Sequence, residues 1–378
     1  MRKRLSRRAA ARLRRKIISA VSILIAAAAI CASLNGNYSK KKNDIDNSED
    51  RTDILSNVCN EVYVDLQREE WNPLSDEVLD ANADKNSEGE SEETSSDDTN
   101  KGDKPYPEKW NVNDDTEIIR TSLSGYSGDK FFSLENGGQV SNSTSISNDE
   151  LLQESVLKPA FKISVNEKPQ VLIMHTHTTE TYEPYVREFF DPSFNYRTTE
   201  STKNVVAVGE IIAEKLRDAG IITIHDETIH DYPSYTGAYE RSAETVKSIL
   251  EENPSIKVVL DIHRDAIGTE SSITQPIVEI NGKESAQVMI ISGCDDGTMD
   301  MPNYMFNFRF ACRLQEQMES MYPGLTRPLL FDYRRYNQDL TTGSLLIEVG
   351  SHGNTLEQAM YAGSLLGDAL AEVLLDLH

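Results

Sequence analysis

The chain has 378 residues, which is room for two average domains or for one domain with tails. Its formal net charge is −24, and nine of its 38 lysines and arginines lie in the first 16 residues, so the rest of the chain is more acidic still. No basic patch of the kind that binds phosphates is apparent there, and we expect no nucleic-acid partner. The four cysteines show no CxxC spacing, which argues against a disulfide framework and a thiolate metal site.

The chain begins with a basic segment that is followed by an uncharged apolar run. Residues 17–34 carry no charge, and a run of about 18 residues is near the lower limit for spanning a bilayer. We predict a cytoplasmic tail over 1–16 and a single-pass transmembrane anchor over 17–35, which places the later residues outside the cytoplasm. A cleaved signal peptide is the alternative because the run is rich in alanine, but its cleavage motif is weak and the run is long.

A polar, acidic segment separates this anchor from the remainder of the chain. We predict a disordered linker over 36–115, because stretches such as 82–104 are too polar to bury a core. We expect residues 116–378 to form one folded domain.

From residue 169 onward, strand patterns alternate with helix patterns. Continuous apolar runs predict buried strands, and apolar positions at helical spacing predict the helices between them. The predicted strands cover 171–175, 221–225, 257–263 and 344–350, and the predicted helices cover 204–220, 238–253, 305–322 and 355–377. Before this region, Ser147 or Asn148 is a candidate cap for a helix over 149–157. Asn281-Gly282 predicts a hairpin turn between strands at 275–280 and 286–292. The alternation indicates an α/β fold with an open, mostly parallel sheet and helices on both faces.

Three predicted strands end in side chains that suit a metal site better than a core. His175, His177 and Glu180 follow the first strand, His263 ends another, and Glu348 lies near the end of the last. The carboxyl ends of neighbouring parallel strands meet at one crevice. Two imidazoles, one carboxylate ligand and one free carboxylate are typical of a catalytic zinc site, where the free carboxylate takes a proton from water. Nitrogen and oxygen ligands together suit Zn²⁺ better than Mg²⁺.

We predict that His177, Glu180 and His263 bind zinc and that Glu348 is the catalytic base. A His-x-x-Glu pair followed by a distant histidine and a distant glutamate is also the pattern of zinc carboxypeptidases. Glu200 is the alternative third ligand, since it lies just before the next predicted helix. An acid at that point also complements the helix dipole without any metal.

Other polar residues near these positions have less specific interpretations. His175 shares a strand face with His177, which suggests that it orients a ligand or contacts substrate. We interpret His225 and His230 as loop surface. Arginines are candidates for binding a substrate carboxylate or polarising a carbonyl. The candidates are Arg197, Arg264, Arg334 and Arg335.

Four motifs resemble the stage II sporulation protein P family: QVLIMHTHTTETYEP, NYRTTESTKNVVAVGEII, VVLDIHRDA and GSLLIEVGSHGNTLEQAMYAG. The resemblance covers roughly residues 120–378 and the basic anchor. It implies a fold similar to that of zinc-dependent N-acetylmuramoyl-L-alanine amidases. By position, His177 and His263 match the metal histidines of the family, and Glu348 matches its catalytic glutamate. Related amidases place the carboxylate ligand at the start of the helix after the first strand, which favours Glu200, whereas carboxypeptidase-like spacing favours Glu180.

The resemblance also implies a biological setting. The family consists of membrane-anchored cell-wall hydrolases that cut the amide between N-acetylmuramic acid and L-alanine of peptidoglycan, with a second, endopeptidase activity on stem peptides. It implies a Zn²⁺ cofactor, a place in the septal or intermembrane space during engulfment, and work beside the stage II sporulation proteins D and M. Two alternatives stay open: a peptidoglycan-binding scaffold without catalysis, and a metallocarboxypeptidase that acts on stem peptides.

Overall fold

The computed structural model describes residues 116–191, 194, 196–269 and 272–378. The predicted tail, anchor and linker therefore lie outside the described residues. Within those residues, no helix is long and apolar enough to cross a membrane.

The described residues form strands, α-helices and one short 3-10 helix at Ser201–Lys203. The strands are β1 (Glu117–Thr121), β2 (Phe131–Ser133), β3 (Gln139–Asn142), β4 (Val171–Met174), β5 (Thr223–His225), β6 (Val258–Asp265), β7 (Gly268–Thr269), β8 (Ser272–Ile280), β9 (Lys283–Ala286), β10 (Val288–Cys294), β11 (Leu329–Tyr333) and β12 (Ser344–Ser351). The helices are α1 (Asn148–Ser155), α2 (Val205–Asp218), α3 (Ala238–Glu252), α4 (Tyr304–Met321) and α5 (Leu356–Asp376). The predicted helices are all present, within a few residues of their predicted ends.

Eight of these strands form the main sheet, in the order β2-β3-β11-β10-β12-β6-β4-β5. The pairings β2–β3 and β10–β12 are antiparallel, and the other five pairings are parallel. The prediction of an α/β fold is confirmed, and the two antiparallel pairings make the sheet mixed.

Helices cover both faces of the main sheet, and β4 shows why. Its side chains alternate between the faces, and all four are buried. Val171 and Ile173 pack in the cluster that contains α2, α4 and α5. Leu172 and Met174 pack in a separate cluster with Val246 of α3. Each buried aliphatic side chain contributes roughly 1.5–3 kcal/mol relative to exposure, so a strand covered on one side only would forgo half of this gain.

The predicted hairpin is wrong in its second strand. Asn281 and Gly282 have φ angles of 53° and 76°, as a two-residue hairpin turn requires. The strand that returns is β9, which pairs with β8 between Ile280↔Lys283 and Ile277↔Ala286. The predicted strand at 286–292 is β10, which lies in the main sheet between β11 and β12 and is buried at every position. Strands β1, β7, β8 and β9 form a second sheet that the sequence analysis does not predict.

The order β12-β6-β4 brings three strand ends that carry polar residues to one edge of the main sheet. His263 of β6 is the Cα partner of Glu348 in β12, and Asp261 is the partner of Met174 in β4. Parallel pairing makes all three strands end at this edge. The order and direction of these strands are therefore sufficient to bring the candidate site residues together.

Glu183 ties the segment after β4 to the start of α5. Its N–H donates to the Asn354 carbonyl at 2.9 Å, and its own carbonyl accepts from Leu356 N at 3.1 Å. Its carboxylate is 1% exposed and accepts from Arg187 Nη2 at 2.7 Å. Burial nevertheless raises the pKa of Glu183 to about 7. Burial outweighs the arginine because the second oxygen, Oε2, is buried without a hydrogen bond to any described residue.

We expect Glu183→Gln to gain stability relative to the wild type as the pH rises. The pKa of the carboxyl group is about 7 in the fold against its ordinary 4.5, so its stabilisation is full below pH 4.5 and is lost as the pH rises through 7. A shift of this size corresponds to roughly 3 kcal/mol. Urea unfolding of both proteins at pH 5 and pH 8 measures the change. An equal stability difference at both pH values would contradict the prediction.

Candidate active site

The segment after β4 folds over the edge of the sheet and is buried throughout, from 175 to 183. The Glu180 N–H donates to the His177 carbonyl at 3.1 Å, which closes a turn and brings the two side chains of the His-x-x-Glu motif together. The Glu180 carbonyl accepts from Val205 N at 2.9 Å, at the first residue of α2. The motif is therefore held between the strand end and the following helix.

Glu180 and His263 lie at a spacing that fits a shared ion. Glu180 Oε2 is 3.5 Å from His263 Nδ1. Two ligands at about 2.0–2.1 Å from a tetrahedral zinc ion would be about 3.4 Å apart. Glu180 Oε2 also accepts from the backbone N–H of Arg264 at 3.1 Å. Burial alone would raise the pKa of Glu180, but the Arg264 guanidinium and the His263 imidazole lower it below its ordinary value, which keeps the carboxylate ionised.

The other ring nitrogen of His263 faces a buried carboxylate. Nε2 lies 2.8 Å from Asp261 Oδ1, and Thr176 donates to Asp261 from its N–H and its hydroxyl at 2.8 and 2.7 Å. Burial acts to lower the pKa of His263, but Asp261 and Glu180 raise it well above its ordinary value. Asp261 is not among the site residues predicted from the sequence. Its signal is the spacing Asp-x-His, which puts both side chains on one face of a strand.

His177 lies among aromatic rings beside this pair. It stacks on Tyr235 at a centroid distance of 4.4 Å and meets His263 edge to face at 5.2 Å and Tyr239 at 5.5 Å. Its Nδ1 is 4.0 Å from Asp231 Oδ2, and no described residue forms a hydrogen bond with it. Burial lowers the pKa of His177 to about 3. The imidazole is therefore neutral at physiological pH, as a metal ligand must be.

Glu348 occupies the neighbouring strand beside His263. Burial raises the pKa of Glu348 well above its ordinary value, and the Asp265 carboxylate raises it further, while His263 and Arg327 oppose the change. Its Oε2 is buried and accepts no hydrogen bond from the described residues. Arg327 binds Asp265 at 2.7 Å. A strongly perturbed carboxyl group with an unused oxygen is typical of an acid–base residue.

Glu200 lies apart from this cluster. Its side chain is 49% exposed and pairs with Lys203 Nζ at 2.7 Å, one turn before α2. The structure thus brings Glu180, and not Glu200, to His263. Which of the two glutamates binds a metal stays a prediction.

His177 stands farther out than a closed three-ligand site requires. Among the described residues, one group of three metal-binding side chains has all its ligand atoms within 4.8 Å of one another, and it consists of Glu210, His225 and Glu227. In that group Glu227 is exposed, and Glu210 is bound by Arg217 at 2.7 Å. The donor types at His177, Glu180 and His263 and the Glu180–His263 spacing fit a zinc ion, whereas the position of His177 keeps the three ligand atoms from all lying within 4.8 Å of one another.

His175 links elements of the fold. It is completely buried, with Nδ1 2.9 Å from the Ile262 carbonyl and Nε2 2.9 Å from His225 Nε2. His225 Nδ1 lies 2.7 Å from Glu210 Oε2. The chain of contacts joins the ends of β4, β5 and β6 to α2. Burial lowers the pKa of His175 to about 3, so the ring contributes no positive charge near the site.

The interpretation of His225 and His230 as loop surface is wrong. The His225 side chain is 2% exposed, and His230 is also 2% exposed. His230 Nδ1 lies 2.8 Å from the His175 carbonyl, and its own carbonyl accepts from Arg241 Nε at 2.6 Å. His230 Nε2 lies 3.0 Å from the Thr245 hydroxyl of α3, and both His225 ring nitrogens face side chains, those of His175 and Glu210.

The arginine candidates bind groups of the protein itself. The Arg264 guanidinium donates to the carbonyls of Thr181 and Tyr196 at 3.1 and 3.3 Å. Arg197 donates to Asp231 at 2.8 Å. Arg334 and Arg335 pair with Asp332 and Asp339. Arg264 and Arg197 therefore stabilise the segment that carries His177 and Glu180.

The fold and the site define a mixed α/β protein with a buried histidine–carboxylate cluster at one edge of its sheet. A family model described as stage II sporulation protein P matches residues 40–371. The chain belongs to this family. The stage II sporulation protein P of Bacillus subtilis (strain 168) is 29% identical over 246 residues, which are 62% of this chain and 58% of that protein. The chain thus spans less than two thirds of the length of this relative.

Solved structures similar to the chain include three amidases. The N-acetylmuramoyl-L-alanine amidase AmiC2 of Nostoc punctiforme is 11% identical with a TM-score of 0.32, covering 55% of this chain and 96% of that chain. The CwlD amidase from Clostridioides difficile, in complex with the GerS lipoprotein, is 12% identical with a TM-score of 0.34, covering 55% and 99%. An N-acetylmuramoyl-L-alanine amidase from Clostridium difficile 630 is 15% identical with a TM-score of 0.32, covering 56% and 97%. At these TM-scores the likeness carries no argument about function.

Gly209 of α2 permits the contact between His175 and His225. A Cβ at this position would lie 2.7 Å from His175 Nε2 and 2.8 Å from His225 Nε2. Alanine normally stabilises a helix by about 1 kcal/mol relative to glycine. Here we expect Gly209→Ala to destabilise the protein by about 1–3 kcal/mol, because both buried rings must move.

Urea unfolding measures this change. Ala207→Gly, at a half-buried position of the same helix, gives the propensity effect alone. Suppose that Gly209→Ala stabilises the protein by as much as Ala207→Gly destabilises it. The close packing of Gly209 against the two histidine rings would then be refuted.

Proposed function

We propose that this protein is a zinc-dependent N-acetylmuramoyl-L-alanine amidase that hydrolyses peptidoglycan during engulfment in sporulation. The observation that carries the proposal is the cluster at the ends of β4, β6 and β12, where Glu180 Oε2 lies 3.5 Å from His263 Nδ1 and Glu348 is in register with His263. Family membership supports the role in sporulation. The resemblance of the strand-end motifs supports the amide between N-acetylmuramic acid and L-alanine as the bond that is cut.

His177, Glu180 and His263 would hold the ion. When bound, zinc supplies a Lewis acid for the amide carbonyl and lowers the pKa of water toward neutrality. Glu180 contributes a negative charge, and the Arg264 guanidinium favours its ionised form. His177 contributes a neutral ring because burial lowers its pKa to about 3.

Glu348 accepts the proton of the attacking water at Oε2, the buried oxygen of its carboxylate. The positive charge of Arg327 favours the ionised form that this step needs. Burial and Asp265 favour the protonated form that follows. The carboxyl group can then deliver the proton to the nitrogen of the leaving L-alanine, which makes Glu348 base and acid in turn.

We also infer the setting in which the domain works. The uncharged run at 17–35 after a basic tail supports a single-pass anchor with the catalytic domain outside the cytoplasm, in the septal or intermembrane space. The resemblance supports stage II sporulation proteins D and M as partners. If the mature protein lacks the apolar run at its amino terminus, that run is a cleaved signal peptide and not an anchor.

We expect Glu180→Gln to lose zinc and Glu200→Gln to keep it. Glu180 is buried beside His263, whereas the Glu200 side chain is 49% exposed and paired with Lys203. The zinc content of each purified protein after dialysis, measured by mass spectrometry of the metal, tests this. Loss of zinc in Glu200→Gln alone would make Glu200 the third ligand.

We expect Glu348→Gln to reduce hydrolysis of peptidoglycan by about 10²- to 10⁴-fold, because the glutamine side chain cannot accept a proton from water.

His177→Ala and chelation of the metal should each abolish hydrolysis. Added zinc should restore the activity of the chelated wild type but not that of His177→Ala. Glu357→Gln is the matched control, since this glutamate is 80% exposed on α5. Full activity in Glu348→Gln, or after chelation, would contradict the mechanism.

Mass spectrometry of the products separates the alternatives. New amino termini on L-alanine identify an amidase, and stem peptides shortened at their carboxyl ends identify a carboxypeptidase. Binding to peptidoglycan without any new product identifies a scaffold.

A further inference from the structure

Each candidate ligand histidine has a buried aspartate behind its ring. Asp261 is 5% exposed and lies beside His263, and Asp231 is 6% exposed and lies beside His177. We propose that Asp231 and Asp261 are positioning residues that fix which ring nitrogen each histidine presents to the metal. The inference rests on the proposed metal site and adds a function for two residues that contact neither substrate nor ion.

Asp261 sets the orientation of His263. Its Oδ1 lies 2.8 Å from His263 Nε2, which leaves Nδ1 on the side of Glu180, 3.5 Å from Oε2. The aspartate itself is fixed, because Thr176 donates to both of its oxygens, from its N–H at 2.8 Å and its hydroxyl at 2.7 Å. Among the described residues Nε2 forms no hydrogen bond of good geometry, although the Asp261 oxygen is within contact distance. A carboxylate fixed at this distance favours the ring proton on Nε2 and leaves the lone pair on Nδ1.

Asp231 lies behind the ring of His177 in the same way, but the two side chains are too far apart to form a hydrogen bond. Its Oδ2 lies 4.0 Å from His177 Nδ1, which is buried and has no hydrogen bond among the described residues. Asp231 is held by the Thr179 hydroxyl at 2.7 Å and by Arg197 at 2.8 Å. A small movement of the ring would give Nδ1–H an acceptor and leave Nε2 as the ligand nitrogen.

Tyr235 restricts that movement to the plane of the ring. It stacks on His177 at 4.4 Å with an interplanar angle of 12°. The Arg197 guanidinium lies 4.9 Å from the centroid of Tyr235. The same arginine therefore holds both the aspartate and the aromatic ring against which His177 can slide. This arrangement also accounts for Arg197, which the sequence analysis offers as a substrate ligand.

Charge and tautomer explain why carboxylates stand at both positions. A neutral imidazole binds a metal through one nitrogen and carries a proton on the other. A carboxylate that accepts this proton fixes the tautomer and the ring angle and makes the ligand more basic. The two aspartates select opposite nitrogens, Nδ1 in His263 and Nε2 in His177. This asymmetry is specific enough to be measured.

The test uses the full chain, freed of metal by chelation and titrated with Zn²⁺ against a chromophoric chelator. We expect Asp231→Asn and Asp261→Asn each to weaken zinc binding by about 10- to 100-fold. Glu316→Gln is the matched control, because Glu316 is also a buried acid that accepts from a backbone N–H, that of Asn136 at 2.9 Å. It should bind zinc as the wild type does.

A second measurement does not depend on the folding of these variants. Nitrogen NMR of the zinc-loaded wild type, labelled at histidine, reports which ring nitrogens carry the metal. We expect Nδ1 for His263 and Nε2 for His177. Thr179→Val, which removes one hydrogen bond from Asp231 and keeps its carboxylate, should weaken zinc binding by less than Asp231→Asn.

The outcomes separate this inference from the proposed function. Wild-type protein that binds no zinc would refute the proposed metal site itself. A wild type that binds one equivalent, with unchanged affinity in folded Asp231→Asn and Asp261→Asn, would refute the positioning role alone. The opposite nitrogen on either histidine would also overturn it, whether or not the variants fold.

Discussion

The site depends on the burial of polar side chains in β6, the strand between β4 and β12. All eight of its positions are buried, and the last five include Asp261, His263, Arg264 and Asp265. Charged groups removed from water must be paired or hydrogen-bonded. Their pairing requirements therefore dictate what the neighbouring segments supply at the end of the sheet.

Each requirement is met by a segment distant in sequence. Thr176 binds Asp261, Glu180 lies against both His263 and Arg264, and Arg327 binds Asp265. The segment after β4 is consequently held where its His-x-x-Glu turn faces β6. The same exclusion of water lowers the pKa of His177 and raises that of Glu348, because it penalises the charged form of each. One constraint thus produces the geometry and the protonation states together.

Much of the fold follows from local sequence. The apolar runs locate β4, β6 and β12, and helical spacing locates the helices α2 to α5, since these patterns reflect burial of one face or of both. The cap at Ser147 locates α1. The hairpin after Asn281-Gly282 shows the limit. The turn is encoded locally, but the length of its second strand depends on which sheet the chain after Ala286 joins, and that choice is made by tertiary packing. The buried state of His230 likewise depends on the carbonyl of His175, far away in sequence.

The site residues likewise fall into those that the sequence predicts and those that it does not. His177, His263 and Glu348 can be selected because polar residues at the ends of apolar strands are conspicuous. Asp231 lies in a polar loop, where nothing local distinguishes it from its neighbours, and it is brought to His177 by bonds to Thr179 and Arg197. Its partners are distant in sequence, so Asp231 leaves no local pattern, whereas Asp261 shares a strand face with His263.

The choice between Glu180 and Glu200 shows most directly why the sequence is insufficient. Both glutamates end the same tripeptide, Thr-Thr-Glu, at 178–180 and at 198–200. The two segments pair through an antiparallel bridge between Glu180 and Arg197 and a bond from Thr198 N to the Thr179 carbonyl. The first tripeptide follows directly from a buried strand, so its glutamate points under the sheet edge beside His263. The second lies between the bridge residues Arg197 and Asn204, where its glutamate meets solvent and Lys203. Position relative to the sheet, which identical local sequences cannot encode, separates them.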